Sequence, residues 1–373
     1  MNILFDGRPI RHPHTGVATY CSEFILHSFD TKNFNLTPYF QSYKNSNSVA
    51  EEFITTSKIL KFYKQSFFPR KVENLFQEFT NLRPFSSFFN HSDFDIIHET
   101  YFAKLNKLDN KSKLVCTIHD LIPLEFPHFF NRTNSFFSKG NLKRQILKSD
   151  AVITVSEYTK KVILNSFNVP EEKIFVIPIG VSSSVFSPVP KKNSYNLVDY
   201  FVTVGNIEPR KNHLTAAKAI AKLNDYYKSN FKYVVIGRKL FNSESIINKM
   251  RKLLGDNLVI TDFLPISDRN YLISNSLAHI FPSSYEGFGI PALEAYHLKS
   301  LTLLAKNSSL VELAVDPWQL FETFSSDNLF SKLSSIVDKK APSDLIFKQQ
   351  EFSNIYRWEN NINKTFEVYS SVL

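Results

Sequence analysis

The sequence contains only two cysteines, and their scarcity excludes several kinds of small protein. Cys21 and Cys116 are too few for a disulfide framework or for a cysteine-rich metal site. Each lies in an apolar-periodic segment, so we interpret both as small, buried hydrophobic residues. The same scarcity favours a reducing compartment.

Long hydrophobic runs are also missing. No run of about eighteen apolar residues occurs, so the sequence predicts no membrane-spanning helix. The first residues become acidic at Asp6, too early for a secretory signal peptide, and we therefore expect a cytoplasmic protein. With 373 residues, 43% of them hydrophobic, the chain is nevertheless predicted to fold into two or three globular domains.

The sequence has no signature of a nucleic-acid-binding module, although its formal net charge is +9. A basic protein can bind nucleic acid, an anionic membrane face or phosphorylated small molecules. We favour the last two partners and expect no nucleic acid. The rival hypothesis of a nucleic-acid-binding protein predicts tight, salt-sensitive binding to DNA or RNA.

Short apolar strands alternate with helical segments in two series, which predicts an α/β protein. A Ser/Pro-rich segment at 182–193 separates the series and places a domain boundary after Gly180. Ser156 and the pair Ser267–Asp268 are predicted to cap the helices that follow them. The predicted strands are 2–6, 33–40, 94–98, 114–118, 151–155, 174–178, 200–204, 232–236, 258–260, 277–281 and 301–304.

The stretch 282–294 follows a predicted strand and combines glycines, a proline and two glutamates. Pro291 suits a first helical turn because it has no N–H to leave unpaired. The N–H groups at that helix start can bind a phosphate or an oxygen-rich ligand, and Gly287 and Gly289 allow close approach of the backbone.

Glu286 and Glu294 bracket this turn. Ionised carboxylates accept hydrogen bonds from hydroxyl groups, so the pair can bind the two ends of one polyhydroxylated molecule. The alternative is that both carboxylates are merely solvated.

Adjacent cations, Arg210 and Lys211, occupy the turn 205–212 after another predicted strand. A guanidinium fork beside an ammonium group suits a diphosphate, although a solvated surface pair is the alternative. The turn is not a dinucleotide fingerprint, because the spaced Gly-x-Gly-x-x-Gly pattern is absent.

Two more candidate positions lie in the first series. His119 follows the strand 114–118, and parallel strands deliver functional residues at their carboxyl ends. Gly16 opens a helix after the first strand, where a helix start can hold an anion. A structural histidine and an ordinary strand-to-helix turn are the alternatives.

Together these motifs resemble retaining glycosyltransferase family 4, and its mannosyltransferase-like members in particular. Glu286-Gly-Phe-Gly-Ile-Pro-Ala-Leu-Glu294 resembles the family signature, and Glu208-Pro-Arg-Lys-Asn212 resembles its diphosphate-binding turn. His119-Asp-Leu-Ile-Pro123 resembles the central motif of the N-terminal domain. The resemblance extends from Met1 to about Tyr369.

The resemblance implies the GT-B fold, in which two Rossmann-like, doubly wound domains face a central cleft. The acceptor-side domain would cover 1–180 with a crossover helix at 356–373, and the nucleotide-sugar-binding domain 181–355. The residues implied as catalytic are His119, Arg210, Lys211 and Glu286, and those implied as donor-binding are Gly16, Gly205, Gly287, Phe288, Gly289, Ile290 and Glu294.

The resemblance implies retaining transfer from a nucleotide sugar, with GDP-mannose favoured and UDP- or other GDP-sugars open, to a glycan or lipid-linked acceptor. No cofactor or metal is expected, because Asp93-Phe-Asp95, the one Asp-x-Asp match considered, sits at a strand start. A sugar-nucleotide epimerase and a catalytically idle binding partner are the rival hypotheses.

The basic, aromatic segment 58–71 can lie on an anionic lipid surface, which would place the enzyme peripherally on the membrane inner face. A helix with a core stripe and a solvated basic face is the alternative.

Overall fold

The structure is a computed structural model that describes residues 1–11, 15–29, 31, 34–43, 63–66, 94–100, 111–126, 132–190, 195, 197–240 and 243–373. They divide into two units, residues 1–180 with 358–373, and residues 181–357. The sequence placed the first boundary after residue 180 and the return to the first unit at residue 356; in the structure the return occurs at Trp358.

The described part of the first unit contains a seven-stranded parallel sheet in the order β3-β2-β1-β4-β5-β6-β7. The chain adds β2 and β3 on one side of β1 and then returns to the other side of β1 with β4. The topological switch point therefore lies between β1 and β4. The strands are β1 Asn2–Asp6, β2 Asn35–Tyr43, β3 Tyr63–Ser66, β4 Ile96–Glu99, β5 Lys113–Ile118, β6 Ala151–Thr154 and β7 Ile174–Val176.

Helices cover this sheet. The predicted cap is confirmed at Ser156, whose Oγ accepts a hydrogen bond from Thr159 N at 3.2 Å, with Glu157 in the first turn. Both cysteines are fully buried, as interpreted from the sequence. The helices are α1 Gly16–Ser28, α2 Ile122–Glu125, α3 Arg132–Lys148 and α4 Glu157–Ser166.

The second unit has its own parallel sheet, with six strands in the order β10-β9-β8-β11-β12-β13. Its switch point lies between β8 and β11, whose pairing register sets Ala278 opposite Phe201 and His279 opposite Val202. The strands are β8 Tyr200–Val204, β9 Lys232–Ile236, β10 Leu258–Thr261, β11 Ala278–Phe281, β12 Thr302–Ala305 and β13 Leu320–Phe321.

The helices of the second unit are α5 His213–Tyr227, α6 Ser243–Leu254, α7 Ile266–Ser274, α8 Ile290–His297, α9 Ser326–Val337 and α10 Leu345–Asn354. The prediction that Ser267–Asp268 caps a helix is wrong, because both residues lie inside α7 and Pro265 occupies the capping position without a side-chain bond. Asp268 instead lies in the first turn, where a negative charge favours the helix dipole.

The last helix, α11 (Trp358–Val372), belongs to the first unit. Tyr369 Oη lies 2.6 Å from His98 Nδ1, and Asn361 Nδ2 donates to Pro178 O at 2.8 Å. The Trp358 ring stacks on His27 at a centroid distance of 6.1 Å. These contacts attach the chain terminus to β4, to the loop after β7 and to α1.

Each predicted strand overlaps an observed strand, whereas β3 and β13 were not predicted. Of the segment 58–71, only the backbone of β3 (Tyr63–Ser66) is described. These four residues form a strand, so the alternative interpretation of the segment as a helix is wrong for them. They pair with β2 at the sheet, a contact that local sequence does not encode. Among the residues that are described, no helix has both the length and the apolar character to cross a bilayer.

Gly237 follows β9 and touches the turn that follows β8. A Cβ added at Gly237 would lie 2.2 Å from Gly205 O and 2.9 Å from Asn206 N. We therefore expect Gly237→Ala to displace this turn and lower the free energy of unfolding by about 1–3 kcal/mol, measured by chemical denaturation.

The matched control is Gly140→Ala in α3, where an added Cβ meets nothing within 4 Å. This substitution should raise the free energy of unfolding by about 0.5–1 kcal/mol, because alanine favours the helix. Equal stability of Gly237→Ala and the unmodified protein would contradict the steric argument.

Candidate active site

The turn after β8 carries the two predicted cations. Pro209–Lys211 forms one 3-10 turn, and Asn212 follows with a left-handed φ of 51° before α5 begins at His213. Asparagine tolerates this conformation, and proline fixes the backbone at the start of the turn. Arg210 and Lys211 are therefore held at the carboxyl end of β8.

The turn after β11, residues 282–289, is bonded to the turn after β8. Asn212 Nδ2 donates to Pro282 O at 3.1 Å. Ser284 donates to Arg210 O from its backbone N at 2.8 Å and from its Oγ at 3.0 Å. The two turns meet because β8 and β11 are neighbours at the switch point, where open α/β sheets bind their ligands.

A third turn, after β12, supports the second from its other side. Asn307 Nδ2 donates to Ser283 O at 2.8 Å, and Glu286 N donates to Ser308 Oγ at 3.0 Å. Ser309 Oγ lies 2.9 Å from Glu286 O and 3.0 Å from Phe288 O. The backbone around Glu286 is therefore fixed on both sides.

This support has a conformational cost, since Ser308 has a left-handed φ of 42°. A non-glycine residue in that region costs on the order of 1 kcal/mol or more and persists where surrounding contacts compensate. From the resemblance, Asn307–Leu310 was expected to form a turn near the ribose end of the cleft, but Asn307, Ser308 and Ser309 were given no role in the site. Their only signal was turn-forming composition after a strand.

The structure brings Arg210, Lys211 and Glu286 together. Glu286 Oε1 lies 2.6 Å from Lys211 Nζ and 2.9 Å from Arg210 Nη1. Arg210 also donates to Glu208 Oε1 at 2.7 Å and to Tyr285 O at 2.8 Å. The three side chains of this cluster are only 12–15% exposed, so their charges are poorly screened by solvent.

Burial and charge act in opposite directions on these groups. Burial alone would raise the pKa of Glu286, but Arg210 and Lys211 outweigh it and lower this pKa to about 2. Burial lowers the pKa of Lys211, Glu286 opposes that effect, and Arg210 reinforces it. Counting Glu208, which also pairs with Arg210, the two cations face two carboxylates and the cluster is formally neutral, so an anionic ligand has to compete with these carboxylates for the cations.

Lys211 also contacts apolar surface. Its Nζ lies 5.4 Å from the centre of the Phe281 ring, within cation–π range. Gly205 lies along its side chain, since a Cβ added there would be 3.4 Å from Lys211 Cδ and Cε. The lysine is therefore confined between β8 and β11.

Helix α8 starts immediately after the cluster. Gly289 is its capping residue with a left-handed φ of 115°, and a Cβ there would lie 2.8 Å from Leu313 Cδ1. Of the two glycines singled out from the sequence, Gly289 has a positive φ and Gly287 does not. Phe288 is buried, and Ile290 is the first residue of the helix.

Glu294 lies in α8 with its side chain 7% exposed, and it forms an ion pair with Arg269 of α7. Burial, reinforced by the charge of Arg269, lowers the pKa of His279 in β11 to about 3. Sequence reasoning missed Arg269, because it precedes Glu294 by 25 residues and no local pattern relates them.

His119 and Gly16 lie in the first unit. His119 follows β5, its Nε2 is buried and has no hydrogen-bond partner among the described residues, and Tyr20 packs edge-on at 4.7 Å. Burial lowers the pKa of His119 to about 4, partly opposed by a hydrogen bond to the Thr100 backbone. Gly16 is the exposed first residue of α1, which Thr15 caps through Ala18 N.

Two buried ion pairs lie at the switch point of the first sheet. Arg8 Nε is 2.6 Å from Asp6 Oδ1 at the end of β1. Arg144 Nη2 is 2.9 Å from Glu99 Oε2 at the end of β4. The sequence analysis predicted neither pair. Within the described ranges, no group of three or more His, Cys, Asp or Glu side chains is placed to hold a metal, and metal independence stays a prediction.

The depressed pKa of Glu286 predicts a pH-dependent contribution to stability. Its ion pairs should contribute fully above its usual pKa of 4.5 and lose that contribution as the pH falls toward 2. The difference in unfolding free energy between the unmodified protein and Glu286→Gln should therefore shrink over this interval, measured by urea denaturation at several pH values. A difference that does not change with pH would contradict this assignment.

Comparison with known proteins identifies two family models in succession. Residues 46–185 match the model of glycosyltransferase family 4, and residues 189–350 match that of glycosyl transferases group 1. The chain is 22% identical over 381 residues to O-antigen chain mannosyltransferase B of Escherichia coli, covering 99% of both chains. It is 29% identical over 206 residues to O-antigen chain mannosyltransferase RfbU of Salmonella typhimurium, covering 51% of this chain and 55% of that protein.

Solved structures show the same fold. Sucrose-phosphate synthase from Thermosynechococcus elongatus superposes with a TM-score of 0.75 at 15% identity, covering 100% of this chain and 98% of that one. HepE from Anabaena, in complex with UDP and glucose, superposes with a TM-score of 0.74 at 16% identity, covering both chains completely. The chain therefore belongs to glycosyltransferase family 4, is a glycosyltransferase enzyme and has the GT-B fold.

Proposed function

We propose that this enzyme transfers mannose from GDP-mannose to a sugar of a surface polysaccharide or its lipid-linked precursor, with retention of anomeric configuration and without a metal. The observation that carries this proposal is the cluster of Arg210, Lys211 and Glu286 at the switch point of the second unit. The mannose and polysaccharide assignments are supported by the O-antigen mannosyltransferases that the chain resembles.

The diphosphate of the donor binds Arg210 and Lys211 in this proposal. The guanidinium presents two parallel donors to phosphate oxygens, and the ammonium group supplies a point charge. The start of α8, with Gly287 to Ile290, adds backbone N–H groups and the positive end of the helix dipole. Gly205 leaves room for Lys211 beside β8.

The two glutamates recognise hydroxyl groups. Glu286 orients the sugar, and Glu294 accepts hydrogen bonds from the ribose. Arg269 pairs with Glu294 and fixes the position of its carboxylate, which makes Arg269 a positioning residue for ribose binding. Donor contacts by His119 and Gly16 stay predictions.

The proposed chemistry needs no enzymic nucleophile. The acceptor hydroxyl oxygen bonds to the anomeric carbon on the face from which the diphosphate departs. The bond between that carbon and the phosphate oxygen breaks, and its electron pair stays on the phosphate. A leaving phosphate oxygen takes the hydroxyl proton, while Arg210 and Lys211 stabilise the negative charge that develops.

In this proposal, the positive net charge of the chain indicates the kind of acceptor and the location of the enzyme in the cell. A net charge of +9 favours contact with an anionic membrane surface and with phosphorylated, lipid-linked acceptors. We propose that the enzyme works peripherally at the cytoplasmic membrane face.

A transfer assay in EDTA tests the donor, the metal requirement and the cations together. We expect mannose to pass from GDP-mannose to p-nitrophenyl α-mannoside with an α-linked product by NMR, and UDP-glucose to be a poor donor. Lys211→Ala should reduce the rate about 10²- to 10³-fold, because one electrostatic contact to the leaving group is lost.

The matched control is Lys222→Ala, which removes a half-exposed lysine from the surface of α5 and should change the rate less than twofold, that is by under about 0.5 kcal/mol. Sugar released or epimerised without an acceptor would instead indicate an epimerase. Absence of transfer from every nucleotide sugar would support an idle homologue.

Binding of 2′-deoxy nucleotides tests the role of Arg269. Arg269→Met should weaken GDP binding about tenfold, because Glu294 loses its ionic partner, and should leave 2′-deoxy-GDP binding unchanged in calorimetry. Arg251→Met, at an exposed position of α6, is the control. Equal losses for both nucleotides would show that Arg269 has only a structural role.

A further inference from the structure

The carboxylate of Glu286 binds the same two cations that the proposed function assigns to the donor diphosphate. One oxygen, Oε1, accepts from Lys211 Nζ at 2.6 Å and faces Arg210 Nη1 at 2.9 Å. These are distances for direct, charge-assisted contacts. A phosphate oxygen that approaches both cations therefore comes close to this carboxylate oxygen and competes with it for their N–H groups.

The backbone of Glu286 is fixed while this exchange occurs. Its N–H donates to Ser308 Oγ, and its carbonyl accepts from Ser309 Oγ. Arg210 is held by Glu208 Oε1 and by Tyr285 O. Because these groups anchor the turn, rotation of the Glu286 side chain is the motion that can transfer its carboxylate from the cations to another partner.

Electrostatics favours the exchange. A carboxylate and a phosphate oxygen that contact the same cations carry like charges at close range and repel each other. The Glu286 side chain is only 12% exposed, so solvent screens this repulsion weakly. Its lowered pKa keeps it ionised near neutral pH, so protonation does not relieve the repulsion.

A nucleotide sugar compensates for this displacement and a nucleoside diphosphate does not. The sugar carries hydroxyl donors, and an ionised carboxylate needs donors. When the sugar is absent, its hydroxyl donors are missing, and Glu286 leaves the cations without this compensation. The diphosphate then competes with Glu286 without compensation.

We propose that Glu286 is an internal competitor for Arg210 and Lys211, so that the site prefers the sugar-bearing donor to the nucleoside diphosphate product. This inference rests on the proposed function. After transfer, the carboxylate loses its sugar partner, returns to the cations and promotes release of the diphosphate. Glu286 thus determines specificity between donor and product as well as orienting the sugar.

Calorimetry of GDP and GDP-mannose tests this proposal. Glu286→Gln keeps the side-chain shape but removes the charge, so GDP should bind about tenfold more tightly than to the unmodified enzyme. Binding of GDP-mannose should gain less or weaken, and the ratio of the two dissociation constants should fall. The rate of transfer should also fall.

Glu208→Gln is the matched control, because Glu208 also pairs with Arg210 but carries no sugar role. It should shift the affinities for GDP and GDP-mannose by the same factor. Glu286→Asp retains the charge and should keep GDP binding weak, which provides a second variant if the glutamine protein does not fold.

Two results would overturn the inference: GDP affinity that is unchanged or reduced in Glu286→Gln, or tighter GDP binding to Glu286→Asp. Either could occur while the unmodified enzyme transfers mannose normally, so the proposed function would stand. Failure of the unmodified enzyme to bind any nucleotide or to transfer any sugar would refute the proposed function itself.

Discussion

The pairing of one carboxylate oxygen with two cations is the interaction on which the rest of the site depends. Lys211 precedes Glu286 by 75 residues in the chain, and Arg210 comes directly before Lys211. They meet because β8 and β11 are adjacent in the sheet, with their carboxyl ends at the same edge. The order of the strands, and not the local sequence, creates the charge cluster.

The surrounding hydrogen bonds make the cluster a preorganised site. Ser308, Ser309 and Asn307 hold the backbone of the turn after β11, and Gly237 lets the turn after β9 pack against the turn after β8. Groups that are already oriented need little rearrangement when negative charge develops on a leaving group. The strained backbone of Ser308 is consistent with a position whose geometry is imposed by its neighbours.

The fold was largely predictable because its signals are local. Each of these signals lies within a few consecutive residues. They are the apolar runs of strand length, Ser156 before a helix, and the Ser/Pro-rich segment 182–193 at the domain boundary. The prediction was wrong at Ser267–Asp268, where Pro265 starts the helix earlier, and it missed the two strands β3 and β13 at the sheet edges. Edge strands form by pairing with a neighbour, which a local pattern does not report.

The sequence by itself determined the α/β class, the family and the residues that carry charge and turn geometry at the ends of β8 and β11. Side-chain chemistry and the need for glycine or proline are properties of individual positions, so a motif reports them directly. Only the tertiary structure decided which groups meet: Glu286 with both cations, Arg269 with Glu294, and Ser308 and Ser309 with the turn. These pairs depend on strand order and helix packing, which bring together residues that are distant in the chain.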